Sequence, residues 1–312
     1  MKLVYCQVNG GNFGDDLNPL LWREIFPRFE TEQSDQCAIY GIGTILSSKH
    51  SSFRHKIVLG SGYTGKILDL RRDHKWKFAW VRGPLTAERL CLHKDLALTD
   101  PSILWSGLRQ RCVDKHWEVG FVPHHKTMSH FAWEEIAART GVHLIDPRQA
   151  PTEVAAEIAQ CERLISESLH GAIFADGLRV PFLPIILAHR FNIFKWRDWL
   201  LSMGLQREFF QVKHCLWDRD ASIWTRSKAV FWNGAVHAGL ADTYRALRPR
   251  WQSGEREIDS VCEYLKALSQ HDSMFQLSAH GAIDDRREQM TKRCREVASQ
   301  FGLTYNKNCQ YS

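Results

Sequence analysis

The chain has 312 residues, 44% hydrophobic and 24% charged, with a formal net charge of +6 and fifteen histidines besides. That length suits two domains of ordinary size, and the composition excludes disordered and fibrous classes. The basic residues are scattered rather than blocked, so an anionic partner fits the charge while a nucleic-acid-binding tail does not.

Met1–Cys6 runs straight into a strand pattern, without the charged and long apolar regions of a signal peptide. No window reaches the apolar length of a membrane span. Nine scattered cysteines without a CxxC pair lead us to expect reduced thiols in a cytoplasm, and neither structural zinc nor a disulfide framework. Period-two patterning predicts a strand over Lys2–Val8, and apolar residues at 17, 20, 21 and 25 predict a helix over Leu17–Phe26. Strands Cys37–Tyr40, Ile57–Leu59 and Phe78–Val81 follow, then helix Leu85–Leu92 and strand Leu96–Thr99. A polar, basic stretch, Ser106–Lys115, breaks the pattern as a linker. Beyond it come strand Trp117–Val122, helix Phe131–Ala138, strand Val142–Ile145 and helix Thr152–Gln160. Strand Arg163–Ile165, helix Leu169–Gly177 and strand Val180–Ile186 complete this half. After about residue 195 the pattern is helical, with stretches Ile223–Ala238 and Glu255–Ser269 and no clear strand. Strands alternating with helices predict an α/β architecture with parallel sheets. Two such halves, 1–112 and 113–200, place their working residues on facing strand ends across a cleft, with a helical C-terminal region, 201–312, packing back on both.

The candidate functional residues sit at those strand ends. "NGGNFGDDLN" (9–18) follows the first strand and opens a helix, where free N–H groups suit anions and where Asp15 or Asp16 suits a helix cap. It offers Asn12, Gly14 and Asp15. "GIGTIL" (41–46) and "VLGSGYTG" (58–65), the latter with Ser61 and Gly62, repeat the theme at two further strand ends. Arg82 in "WVRGPLTAERL" closes a strand just before a Gly-Pro helix start, where a guanidinium can grip phosphate or carboxylate in bidentate fashion. "GFVPHHKT" (120–127) adds His124 and Lys126. In "SESLHGAIFADGL" (166–178), His170 stands in the first turn of a helix whose dipole disfavours imidazolium, ready to accept and return a proton. Segment His189–Trp199 reads either as a loop overhanging the cleft or as a helix burying Phe191, Phe194 and Trp199. Most of the twelve tryptophans read as packing residues, a few as platforms for sugar rings.

Taken in order, these segments resemble the polysaccharide pyruvyl transferase family. "GGNFGDDLN" is similar to its N-terminal G-N-x-G-D loop, "VRGPLT" to its R-G/E-x-x-[ST] segment and "LTDPSIL" to its D-P turn. "ISESLHGAIFADGLRVPFLPI" resembles its S-x-R-L-H-x-x-x-x-A…G-x-P block, and "NIFKWRDWL" (192–200) is similar to the exopolysaccharide branch, the succinoglycan type. The resemblance implies two Rossmann-like domains facing across a cleft, as in GT-B glycosyltransferases. It also implies phosphoenolpyruvate as donor, a sugar diol of a lipid-linked oligosaccharide or polysaccharide as acceptor, and a cyclic ketal as product. Neither a cofactor nor a metal is demanded. Such an acceptor implies a cytoplasmic enzyme open to peripheral contact with the inner face of the membrane. Arg82 matches the family's first arginine and His170 its histidine; Leu169 matches the leucine of the L-H pair. Where much of the family carries arginine before Leu-His, this chain has Ser168, as the exopolysaccharide branch also lacks that arginine. His124, Lys126, Arg190 and Lys195 are then the options for a second positive partner. Two other classes fit the same cleft: a nucleotide-sugar glycosyltransferase, and a non-catalytic sugar-binding protein that would need neither His170 nor Arg82.

Overall fold

The computed structural model describes residues 1–32, 36–46, 53–63, 73–109, 113–128, 132–187, 192–205, 209–211 and 255–307. The expected helix Ile223–Ala238 lies outside them, as do Thr64, His189, Arg190 and Phe191.

Two parallel sheets carry the fold. The first joins β1 (Lys2–Val4), β2 (Cys37–Tyr40), β3 (His55–Leu59) and β4 (Trp76–Trp80) in that spatial order. β2 is buried throughout, as a parallel strand covered on both faces must be. β1 stops at Val4, short of the expected Val8, because its partner β2 ends at Tyr40 and no ladder continues beyond that pair. The expected strand Leu96–Thr99 is reduced to one parallel bridge between Val81 and Ala97. There the chain turns out of the sheet edge: Asp100 Oδ1 accepts the Ser102 N–H at 3.0 Å and caps the 3₁₀ turn Pro101–Leu104.

α1 (Phe13–Ile25) begins four residues earlier than its apolar stripe suggests. Asn12 is its N-cap residue, and the Asp16 carboxylate accepts the Asn12 N–H at 2.8 Å. Pro19 inside the helix cannot donate to the Asp15 carbonyl, and the Asn18 amide makes that bond instead, at 3.0 Å. The same buried amide donates to the Ile42 carbonyl at 3.1 Å, while its oxygen accepts the Ile42 N–H at 2.9 Å and the Trp22 indole at 3.2 Å. Asn18 therefore repairs the helix and fastens it to the loop after β2. α2 (Phe29–Glu32) is a single turn, and α3 (Pro84–Arg89) follows β4 with proline in its first turn.

The second sheet has the order β6-β5-β7-β8-β9. Its strands are β5 (Trp117–Val122), β6 (His143–Leu144), β7 (Cys161–Ser166), β8 (Phe182–Ile186) and β9 (Phe210–Gln211). The helices α4 (Trp133–Thr140), α5 (Pro151–Ala159) and α6 (Leu169–Gly177) alternate with them. β9 corrects the expectation of no strand after residue 195; a two-residue edge strand leaves too little pattern to read. α6 is apolar on every side and almost wholly buried, as a helix packed between layers should be. α7 (Ile193–Ser202) settles the reading of its segment in favour of a helix, with Trp196 and Trp199 buried and Phe194 half-buried. Among the described residues the tryptophans are buried, apart from half-buried Trp117.

α8 (Glu255–Ser269) packs on α4, whereas α9 (Ala282–Phe301) packs against β4 and the Pro101–Leu104 turn. Arg287 of α9 donates to the carbonyls of Ile103 and Leu108, at 2.8 and 3.3 Å. One apolar cluster runs from Leu17 and Trp22 through Leu169, Phe174 and Trp196 to Met290, so both sheets share core. Among the described residues, no helix is long and apolar enough to cross a membrane.

Asn18→Ala removes every partner of the Ile42 backbone pair and the Trp22 indole inside the core. We expect a loss of about 2–4 kcal/mol in unfolding free energy, read from the urea midpoint; a variant within about 0.5 kcal/mol of wild type would show that water substitutes for the amide.

Candidate active site

The site forms where the N-termini of α1 and α6 meet. Phe13 packs edge-on to Phe174, with ring centroids 5.0 Å apart, and edge-on to His170 at 6.3 Å. Gly14 lies directly on the imidazole: a Cβ at this position would overlap the His170 ring. Ser168 is the N-cap of α6 and accepts the Gly171 N–H at 3.4 Å, which fixes the turn that presents His170. The loop after β1 is thereby pressed against the loop after β7.

Behind the imidazole stands Asp100. Its Oδ2 lies 3.8 Å from His170 Nε2, beyond hydrogen-bond distance. Burial pushes the Asp100 carboxyl up, but His170 and then Arg82 together hold it below the usual carboxylate range. Arg82 is itself buried. Its Nη1 donates to Thr44 Oγ1 at 2.9 Å, and its Nε lies 3.4 Å from Asp198 Oδ2. A side chain at Gly62 would occupy the place of the guanidinium, so this glycine makes its room. Arg82 Nη2, Asp100 Oδ2 and His170 Nε2 are buried atoms with no hydrogen-bond partner among the described residues. Three such atoms in one place mark a site prepared for a polar occupant.

Around this core gather groups with strongly displaced protonation. Lys195 of α7 is pushed down to about 8, by burial first and then by Arg82 and Lys126, against the pull of Asp15 and Glu167. Burial raises the Asp15 carboxyl, although His170, Asn12 and Lys195 oppose it. His124 is pushed down to about 2 and His125 to about 4, by burial and by the neighbouring Lys195 and Lys126. Both imidazoles, with ring centroids 4.3 Å apart, are uncharged at neutral pH and offer hydrogen bonds rather than charge. Clustered, displaced groups of this kind are characteristic of functional sites.

Glu167 ties the histidine turn in place. Its buried carboxylate accepts the His124 N–H at 2.8 Å and the Thr127 hydroxyl at 2.5 Å. Burial drives its pKa up to about 7 despite these bonds.

The structure brings together Asn12, Gly14, Asp15, Gly62, Arg82, His124, Lys126, His170 and Lys195 from the sequence-derived candidates. Asn12 reaches the site through its amide, which donates to Asp15 Oδ2 at 2.6 Å. Lys126 is exposed at the rim. Three candidates are spent on structure: Ser61 donates to the Gly41 carbonyl at 2.5 Å, Leu169 is in the apolar core, and Ser168 caps α6. Arg190 lies outside the described residues. Sequence reasoning did not single out Asp100, Glu167 or Asp198. Each stood in a quoted stretch, "LTDPSIL", "ISESLHG" and "NIFKWRDWL", but nothing local told that its partner lay on another element.

Glu167 generates a pH prediction. Its folded pKa of about 7 exceeds the ordinary 4.5, so the folded chain holds the proton more tightly than the unfolded chain. Its contribution to stability is complete below 4.5 and is lost as pH rises to about 7. Glu167→Gln cannot ionise. The stability of wild type relative to the variant should fall across that window and level off above it, as read from urea midpoints; a constant difference would show a carboxyl of ordinary pKa.

Comparison with known proteins follows the same residues. The sequence model of the family described as "Polysaccharide pyruvyl transferase" matches residues 2–189, which include Gly14, Arg82, Asp100, Glu167 and His170. The chain is 36% identical over 263 residues to "Succinoglycan biosynthesis protein ExoV" of Rhizobium meliloti (strain 1021), covering 83% of this chain and 79% of that one. It is 26% identical over 194 residues to "Uncharacterized protein L143" of Acanthamoeba polyphaga mimivirus, covering 56% of this chain and 62% of that one. No solved structure is a match. With a family match over more than half its length, and a relative at this identity across most of it, the chain belongs to the polysaccharide pyruvyl transferase family.

Proposed function

We propose that the protein transfers the pyruvyl group of phosphoenolpyruvate onto a sugar diol of an exopolysaccharide repeat unit, forming a cyclic ketal and releasing phosphate. The observation that carries this reading is His170 facing the buried Asp100 beside the buried Arg82, at the carboxyl ends of strands from both sheets. Attack of the first sugar hydroxyl on C2 of the donor removes a proton from oxygen, and C3 of the donor gains one. His170, backed by Asp100, is placed to take the first proton and return one to carbon. The second hydroxyl then displaces phosphate from C2, with its proton leaving alongside, and the Arg82 guanidinium stabilises the departing charge. The curated relative from Rhizobium meliloti is named as a succinoglycan biosynthesis protein, which supports an exopolysaccharide acceptor. We read the two sheets as Rossmann-like domains in a GT-B-like arrangement, with a cytoplasmic protein meeting its lipid-linked acceptor at the membrane face.

The test is phosphate release from phosphoenolpyruvate with a lipid-linked oligosaccharide acceptor. His170→Ala is expected to slow turnover by about 10²–10⁴-fold while sparing donor affinity. Asp100→Asn should lower kcat with little change in donor KM. For Arg82→Lys we expect a raised donor KM, since a point charge cannot replace a planar fork. Wild-type turnover by a folded His170→Ala variant would end this reading.

A further inference from the structure

We propose that Lys195 is the second cation of the donor-anion site, delivered by α7 to close with Arg82 on the phosphate where Ser168 supplies no charge. The donor's identity as phosphoenolpyruvate rests on the reading above; the clamp itself rests on the helix that carries it. Lys195, Asp198, Trp199 and Ser202 fall three and four residues apart and so share one face of α7. That face is pinned to the first half of the chain. Asp198 accepts the Thr86 N–H at 2.9 Å and the Thr86 hydroxyl at 2.6 Å, and its Oδ2 faces Arg82 Nε at 3.4 Å. One turn further on, the Ser202 hydroxyl donates to Thr99 Oγ1 at 2.9 Å. At the other end, Asn192 Oδ1 accepts the Lys195 N–H at 3.1 Å and fixes the first turn. Lys195 thus lies one turn before Asp198, on the face turned toward Arg82.

The charges facing the ammonium come from every element around it. They are Arg82 at the end of β4, Asp15 of α1, Glu167 at the end of β7, and Lys126 with the uncharged His124 and His125 after β5. Arg82 and Lys195 repel each other, and burial holds both facing carboxyls, Asp15 and Glu167, toward their neutral forms. Arg82 is met by Asp198 and Asp100, whereas among the described residues no carboxylate comes within ion-pair distance of the Lys195 ammonium, which an incoming anion can meet. Arg82 Nη2 is buried without a hydrogen-bond partner among the described residues, ready for that anion. Of the other candidates for the second cation, His124 is uncharged, Lys126 is exposed at the rim and Arg190 lies outside the described residues.

Calorimetric titration of the full chain with phosphoenolpyruvate, and separately with inorganic phosphate, tests the assignment. Lys195→Gln should weaken both by about 10- to 100-fold, the loss of one charge-assisted contact, with Lys266→Gln, a change at an exposed lysine of α8, leaving binding nearly unchanged. Lys195→Arg should keep binding near pH 7. Because the ammonium loses its proton as pH rises through about 8, wild-type affinity should drop between about pH 7 and about pH 9, and the arginine variant should not follow it. Wild-type affinity in Lys195→Gln, or a pH profile identical in wild type and Lys195→Arg, would overturn the assignment alone. Phosphate binding that depends on Lys195, without binding of phosphoenolpyruvate, would uphold the clamp and sink the donor. A wild-type chain that binds neither ligand would overturn both.

Discussion

The site depends on the contact between the first turns of α1 and α6. Both helices begin beyond the carboxyl ends of parallel strands, β1 in one sheet and β7 in the other, and both turn the positive end of their dipole there. Helix starts of like polarity do not attract each other, so the approach must be driven by packing. Phe13 supplies it by lodging against Phe174, and Gly14 permits it by carrying no side chain where the imidazole lies. A residue of any size at position 14 would push the histidine away from Asp100.

A second strut crosses the chain in the opposite direction. α7 follows β8 of the second sheet but is hydrogen-bonded to α3 and to Thr99, both from the first half of the chain. Asp198 is the centre of this strut, because one buried carboxylate caps the N-terminus of α3 and faces Arg82. A helix start is a favourable place for a carboxylate, and the charge it brings is shared with the guanidinium that the site needs. Structural anchoring and site assembly are thus the work of the same side chain. α9 adds a third crossing, since Arg287 holds the Pro101–Leu104 turn whose cap is Asp100.

Much of this was legible in the sequence. The strands Cys37–Tyr40 and Trp117–Val122 and the helix Leu169–Gly177 fall where their patterns place them, because each is bounded by a turn residue or a cap. Arg82 and His170 stand at junctions of strand and helix, and such junctions are visible as a change of period. What escaped was whatever depends on a partner far along the chain. Asp100 reads as a proline-linked turn until His170, seventy positions later, is folded against it. Asp198 carries no local signal until Thr86 is brought to it. Glycine at position 14 reads as a turn former, whereas its structural role is to admit an aromatic ring.

The buried carboxyls show how the fold divides labour between groups of one chemistry. Asp100 and Glu167 are both fully enclosed, and for each burial is the largest influence, favouring the neutral form. Asp100 nevertheless ends below the ordinary carboxylate range and Glu167 near 7. The difference lies in the partners. Asp100 faces His170 and also the Arg82 guanidinium, a charge whose influence falls off slowly with distance in a poorly screened interior, whereas Glu167 is met mainly by a backbone N–H and a hydroxyl. For Glu167 the two hydrogen bonds, with Lys195 as a smaller contribution, do not offset full desolvation; for Asp100, His170 and the Arg82 guanidinium together do. An acid that keeps its charge belongs behind the histidine, and an acid that can keep its proton suits a strap between loops. The sequence assigns these tasks by setting Arg82 and His170 against one carboxyl, and a hydroxyl and a backbone N–H against the other, where Lys195 contributes less.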